Sequence, residues 1–506
     1  MTDTVLTGRI ARTPGAVVSA DVLEPQFRYE AEHLLTYYVQ VELALLAEYE
    51  RMTLLDQGQV REIAAVLAEI PADGLVADGG GNMSDIALAV ERRVTERLTV
   101  PVWHVDRSRN DLQACAQLMF GRERTLLVLG DLLAAAASAR RLAARYTGDV
   151  MPGYTHLQAA QVITPGFFVS ALSAHLLHST ERLLATYDGL NRCPLGSGAL
   201  AGQELAWDRD RLAGLLGFAG PEPHALLGVA SRAWLLELAG ECSTLAVGLS
   251  RLMTDLMTWA GSEHGFVELP DELAGISSAM PQKKNYPVLE RIRGRTAHLT
   301  SWYVDVAMAQ RSTPFSNTVE VSKESSAQLA GATTTMRSAL RLLTEVLDKL
   351  EFRTDRTRDR CAEEYLGGFS LANRLTLEAR VPWRVAQVIA GQYVVAALAA
   401  GHDAATADGA LLRAIAEQHG HRVANAERLL RDAFHPESEL DRRRSAGSAH
   451  PAEVIRLLAA QDRQHTELAD AVAARRATLD AVQPRIHDVV GLLPGTHRHE
   501  REGGDQ

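Results

Sequence analysis

The sequence predicts an all-α protein built around an elongated helical bundle, and three observations predict it. The first is composition: aromatic residues are only 5% of the 506, while Ala, Leu and Arg are frequent, which suits helices better than sheets. The second is the stretch Ser231–Ala260, where Leu238, Cys242, Leu245, Leu249, Leu252 and Leu256 form an apolar seam of helical period with no Pro to interrupt it. A helix of about 30 residues would be ~45 Å long, more than a small domain usually contains. The third is a similar seam, Leu289, Ile292, Thr296, Leu299, Tyr303 and Val306, which begins just after Pro287, a helix-start signal. Arg109–Tyr146 reads as another long Ala/Leu-rich helix. Seams of this length must be covered by other helices, so an elongated core follows, of a kind shared between subunits.

Around that core the chain divides into an N-terminal helical domain (1–105), a central long-helix domain (106–363), a C-terminal helical domain (364–490) and a polar tail (491–506). Gly79, Gly80 and Gly81 mark a loop in the first domain, and Ser84 is a good N-cap for the helix after it. Apolar residues at 46% and charged residues at 23% fit a globular protein. A net charge of −11 argues against nucleic acid, which needs a dominant basic surface. An anionic substrate would need a local basic pocket inside this acidic chain.

Cys115, Cys193, Cys242 and Cys361 are far apart and form no CxxC or Cys/His cluster, so the expectation is a reduced, cytoplasmic protein without disulfide or metal. MTDTVLTGRI lacks the apolar core of a signal peptide. The most apolar runs, Thr125–Ala143 and Val385–Ala400, are interrupted by Asp131 and Arg140, and by Gln387 and Gln392. They read as buried helices rather than membrane spans.

Three segments combine Gly, Pro and polar residues outside the regular patterns: HVDRSRND (His104–Asp111), MPGYTHLQ (Met151–Gln158) and ISSAMPQKKN (Ile276–Asn285). Each precedes a long helical pattern, so each is expected at a helix end, where N–H groups and basic side chains can hold carboxylates. ISSAMPQKKN reads equally as a solvated basic loop. Its chemical reading is that Ser277 and Ser278 share a loop with Lys283 and Lys284, and a serine becomes a base only where cations or N–H donors stabilise its oxyanion. His156 taken alone is a structural turn histidine. Glu290 taken alone is a favourable first-turn acid, and RSRND a capping sequence.

Together these segments resemble the fumarase/aspartase superfamily, and within it the argininosuccinate lyases. The superfamily signature G-S-x-x-M-x-x-K-x-N is matched by Ser277, Met280, Lys283 and Asn285, with Ile276 in place of the Gly. MPQKKN, RSRND, MPGYTHLQ, PLGSGALAG (Pro194–Gly202), GFVELPD (Gly265–Asp271) and VPWRVAQVIAG (Val381–Gly391) follow in the order typical of the family. The resemblance extends from about residue 80 to about residue 470.

It implies a three-domain fumarase/aspartase-like fold, a homotetramer with a twenty-helix core, active sites drawn from three subunits, a dicarboxylate substrate and no cofactor. It puts the base at Ser277 and the acid side at His156 with Glu290 as its partner. Lys283 and Asn285 would bind and polarise a substrate carboxylate. Ser108, Arg109, Asn110, Thr155 and Lys323 match further carboxylate-binding positions, Ser278 joins them as a loop neighbour, and Asp85 matches the first-domain acid.

The chain also departs from the family. Val39 and Glu42 stand near a family Ser and His, and Leu112 and Gln113 follow RSRND in place of Gln-Val. HALLGVASRAW keeps Arg232 but lacks its flanking Asn and Asp, and Phe315 and Glu320 replace a Tyr and a Gln at the amine product. The fumarate half is kept while the arginine half has changed. The expected reaction is therefore β-elimination of an N-substituted aspartate to fumarate, from argininosuccinate or from a relative with another amine. The alternatives are a lyase releasing ammonia, nitrite or hydrazine from a substituted succinate, and a catalytically silent scaffold.

Overall fold

The computed structural model of the chain describes residues 13–70, 75, 77 and 86–492. Five long helices form its centre: Arg109–Arg145 (37 residues), Pro165–Gly189 (25), Ala233–Ala260 (28), Pro287–Gln310 (24) and Leu329–Lys349 (21). Ala233–Ala260 packs along Pro287–Gln310, and Arg109–Arg145 packs against Pro165–Gly189 and Leu329–Lys349. No helix among the described residues is long and apolar enough to cross a membrane.

The predicted seams are what these helices bury. Leu238, Cys242, Leu245, Leu249, Leu252 and Leu256 are all buried. In the next helix Leu289, Ile292, Thr296, Leu299 and Val306 are buried as expected, but Tyr303 is not: it is 38% exposed and Trp302 fills its place in the seam. At the rim of the interface the Tyr303 ring packs over Gly240 of the facing helix, where the absence of a side chain leaves it room. Gly248 has a tighter cause, because a Cβ there would meet His175 Nε2 of the neighbouring helix at 2.1 Å.

One apolar core runs from the N-terminal helices through this bundle. It takes in Leu468, Val472, Val482, Ile486 and Val490, since the helix Pro451–Asp480 lies along Arg109–Arg145 and Pro165–Gly189. A separate core gathers Leu371 through Phe434 around the buried Tyr393. Among the described residues, strands are limited to three antiparallel pairs: 151–155 with 158–163, 267–268 with 351–352, and 275–276 with 284–285.

The first pair corrects an expectation. MPGYTHLQ is not a helix-end loop; it forms the first strand and the tip of a hairpin, and the following helix begins only at Pro165. Gly79, Gly80, Gly81, Ser84 and the expected acid Asp85 lie outside the described residues; the helix after them is described as Ile86–Thr95.

Leu245 is fully buried at the middle of the seam. Leu245→Ala is expected to destabilise the chain by about 2–5 kcal/mol in denaturant unfolding, the transfer loss plus an unfilled cavity. A loss below ~1 kcal/mol would mean that the seam is loosely packed there.

Candidate active site

The start of the Arg109–Arg145 helix is held by buried charge. Ser108 is its N-cap, its Oγ accepting from Asn110 N at 3.2 Å. Two carboxylates flank this turn. Asp111 accepts N–H bonds from Gly196 (3.1 Å) and Gly198 (2.9 Å), while Asp106 accepts from Glu204 N (3.1 Å), Leu205 N (2.8 Å) and Trp207 Nε1 (2.9 Å). Between them Asn110 Nδ2 donates to Ala199 O at 3.0 Å. The loop 194–207 is thereby fastened on both sides of Ser108, Arg109 and Asn110. Gly198 is required there: its φ is +58°, and a Cβ would lie 2.4 Å from Gly202 O.

The electrostatics follow from burial. Burial pushes the Asp111 carboxyl up to about 7, against the opposing pull of the Gly198 and Gly196 N–H groups and the Arg107 charge. Partial burial pushes Asp106 the same way, but its bonds from Leu205, Trp207 and Glu204 win and hold it below the usual carboxylate range. Arg107 pairs with Glu42, and both are almost fully enclosed. His104 lies 3.3 Å from Glu91 and 3.7 Å from Glu42, yet burial and the Arg107 charge lower its pKa to about 2, so it stays neutral beside them.

Further along the same helix, Gln117 Nε2 donates to Ser322 O (2.7 Å) and Ser326 Oγ (3.2 Å), and Gln113 Nε2 donates to Ser322 O (3.2 Å). Arg232 Nε donates to Gln117 Oε1 at 3.0 Å. Arg232 is only 2% exposed, and burial lowers its pKa to about 10. It reaches the site through Gln117, which positions the segment carrying Lys323. Lys323 itself forms an ion pair with Glu30 of the N-terminal helix. Glu320 lies exposed in the first turn of the short helix Val319–Ser322, and Phe315 is exposed beside it.

His156 and Leu157 form the two-residue turn of the 151–163 hairpin, with φ of +52° and +62°. Both central residues of such a turn need positive φ, which is normally supplied by Gly, Asn or Asp. A leucine there is strained, and it is also 88% exposed. Thr155 and His156 are exposed with it.

The ISSAMPQKKN loop is pinched at its base by the pairing of Gly275–Ile276 with Lys284–Asn285. Asn285 Nδ2 donates to Ile276 O at 3.4 Å, and Met280 N donates to Ser277 Oγ at 3.1 Å. The two lysines differ. Lys284 lies 2.9 Å from Asp271, whose hydrogen bond raises its pKa, whereas Lys283 is exposed and has no side-chain partner among the described residues. Ser278 and Glu290 are also exposed, Glu290 in the first turn of the Pro287 helix.

The fold therefore brings Ser277, Lys283 and Asn285 into one loop. It joins Ser108, Asn110, Arg232 and Lys323 through the first turns of one helix. Among the described residues, the hydrogen bonds of Ser108 and Asn110 run to their own turn and to Ala199, and those of Ser277 and Asn285 stay within their own loop. Sequence reasoning missed Asp106, Asp111, Gln117 and Glu30. The two aspartates lay inside the quoted HVDRSRND segment; Gln117 and Glu30 carried no local signal.

Residues 57–299 match a family model described as a lyase. The argininosuccinate lyase of Aquifex aeolicus is 30% identical over 426 residues, covering 83% of this chain and 91% of that protein. That of Rhodococcoides fascians is 35% identical over 340 residues, with 64% and 66% covered. Among solved structures, an EDDS lyase in complex with formate is 25% identical with a TM-score of 0.84, covering 94% of this chain and 99% of the other. The class II fumarase of Schistosoma mansoni shares the fold, with 16% identity, a TM-score of 0.64, and 85% and 96% covered.

Asp111→Ala would leave the Gly196 and Gly198 N–H groups buried without an acceptor. A loss of about 2–4 kcal/mol in urea unfolding is expected, with Asp111→Asn losing less because it keeps an acceptor oxygen. Equal losses in the two variants would show that the acceptor is not what matters.

Proposed function

Because the chain belongs to the argininosuccinate lyase family of the fumarase/aspartase superfamily, we propose that Ser277 and His156, from different subunits, transfer the protons of a fumarate-releasing elimination. The chain is a carbon–nitrogen lyase that cleaves an N-substituted aspartate to fumarate and an amine.

Ser277 removes a proton from the carbon β to the departing nitrogen. The electron pair delocalises into the adjacent carboxylate, which becomes dianionic, and Lys283 and Asn285 stabilise that developing charge. The carbon–nitrogen bond then breaks as the double bond of fumarate forms. The nitrogen takes a proton from the acid side, the His156–Glu290 pair or a water it holds. Ser108, Arg109, Asn110, Thr155, Ser278 and Lys323 bind carboxylate, while Arg232 positions Gln117. Asp85 remains the family-matched acid of the first domain.

The observation that carries this reading is the state of the serine loop. Ser277 Oγ already accepts the Met280 N–H, a donor that would stabilise an alkoxide, and Lys283 is the lysine of the pair left without an internal counter-ion. An exposed, strained hairpin tip carrying His156 supports a second point. A homotetramer in which three subunits supply each site would bring this tip to another protomer's loop.

The changes at Phe315 and Glu320 support an amine other than arginine, as does the structural likeness to EDDS lyase over 94% of this chain. Glu42, near a changed family position, is enclosed with Arg107 and is withheld from substrate. Release of another nitrogen group stays the alternative chemistry. Joint retention of Ser277, His156, Glu290 and Lys283 argues against a silent scaffold.

Ser277→Ala is expected to lower fumarate release ~10²–10⁴-fold, read from fumarate absorbance, with the assembly unchanged by size-exclusion chromatography. Turnover within a few-fold of the parent would place the base elsewhere. Mixing inactive His156→Ala and Ser277→Ala subunits is expected to restore part of the activity through sites that receive both native residues. A verified hybrid assembly with no recovery would contradict sharing between subunits.

A further inference from the structure

Lys323 does not offer a free ammonium to substrate. Its ion pair with Glu30 is largely enclosed, Glu30 being 2% exposed and the Lys323 side chain 17%. The second oxygen of Glu30 faces Ile86 N at 3.4 Å, which holds the carboxylate in place. The pair opens onto a cavity of about 270 Å³ whose wall also carries Asp21, Tyr29, Gln117 and Glu324. The wall thus carries three carboxylates, Asp21, Glu30 and Glu324, and the one ammonium of Lys323.

A substrate carboxylate can reach Lys323 only in competition with Glu30. If it wins, the buried Glu30 carboxylate loses the cation that balances its charge, which is unfavourable. A ligand that brings a carboxylate alone meets this penalty in full. A ligand that brings both a carboxylate and a cation avoids it, because two new ion pairs replace the old one.

We propose that Glu30 is a specificity-determining residue acting by ion-pair exchange: it yields Lys323 to the substrate carboxylate and receives a positively charged nitrogen of the amine half. The site then selects N-substituted aspartates whose amine half bears a second cationic nitrogen, and it discriminates against dicarboxylates that lack one. The choice of substrate class rests on the elimination reading above. The exchange itself rests on the Glu30–Lys323 pair and the acidic cavity wall.

The test compares the full-length parent with Glu30→Gln, using N-(3-aminopropyl)aspartate, the near-isosteric but uncharged N-butylaspartate, and fumarate. Glu30→Gln is expected to lower kcat/KM for the aminopropyl compound by roughly tenfold or more and to raise it for the butyl compound, whose carboxylate no longer competes with Glu30 for Lys323. Fumarate, followed by calorimetry, is expected to bind roughly tenfold tighter to the variant, since no carboxylate competes for Lys323.

These opposite signs separate exchange from a merely structural role, which would weaken all three ligands together. A parallel fall for both aspartates, or weaker fumarate binding, would overturn the proposal. If the parent releases fumarate from neither aspartate, the elimination reading fails. The exchange is then decided by calorimetric binding of the intact aspartates, with the same contrast required. Glu30→Asp keeps the charge with shorter reach and is expected to be intermediate in each measurement, so it carries the test if Glu30→Gln does not fold.

Discussion

The buried carboxylate of Asp111, bonded to the N–H groups of Gly196 and Gly198, is the constraint on which the rest of this structure depends. It ties the first turn of a 37-residue helix to a loop that comes more than eighty residues later. Asp106 repeats the device on the other side of Ser108 and Asn110. A helix N-terminus can receive a carboxylate only if its N–H groups and flanking side chains hold still. Here they are held by bonds to backbone that has little freedom of its own, since Gly198 has no room for a side chain.

The remaining chemistry sits on the opposite kind of structure. Ser277, Lys283 and Glu290 lie on or beside a half-exposed loop, and His156 on a strained, exposed turn. Preorganised carboxylate binding benefits from rigid elements, whereas a base that must be covered during reaction benefits from a segment that can close. In the proposed reading the helical bundle supplies the first and the hairpins the second. An exposed leucine held at positive φ is costly for a monomer, and a contact with another subunit would offset that cost.

Charge is arranged with the same economy. The chain is acidic overall at −11, and several cations around the candidate site are already paired. Arg107 is bound to Glu42, Lys284 to Asp271 and Lys323 to Glu30, whereas Lys283 is left without an internal partner. Where an ion pair is buried, removing one member strands the other, so such a pair can be opened only by a ligand that satisfies both. Lys283 and Lys323 are therefore unlike each other: one is exposed without an internal partner, the other is held in an ion pair.

What the sequence determined by itself was periodicity and local chemistry. The seam from Leu238 to Leu256 was legible because helical spacing of apolar residues has one economical burial, and Ser108 was legible as a helix start because a cap is a local event. The loop motif stood out as a candidate site because Ser277 and Lys283 are close neighbours in the chain. Tertiary structure decided everything that depended on distant partners. Tyr303 lies at the rim over Gly240 of another helix while its neighbour Trp302 fills the seam. His156 came to lie on a hairpin because strand pairing, not the following helix, satisfies that backbone. Glu30 and Lys323 met across almost three hundred residues, and Asp111 found its glycines across more than eighty. Local pattern cannot report such pairings, because each partner's burial is costly until the other offsets it, and the two meet only once the chain has folded.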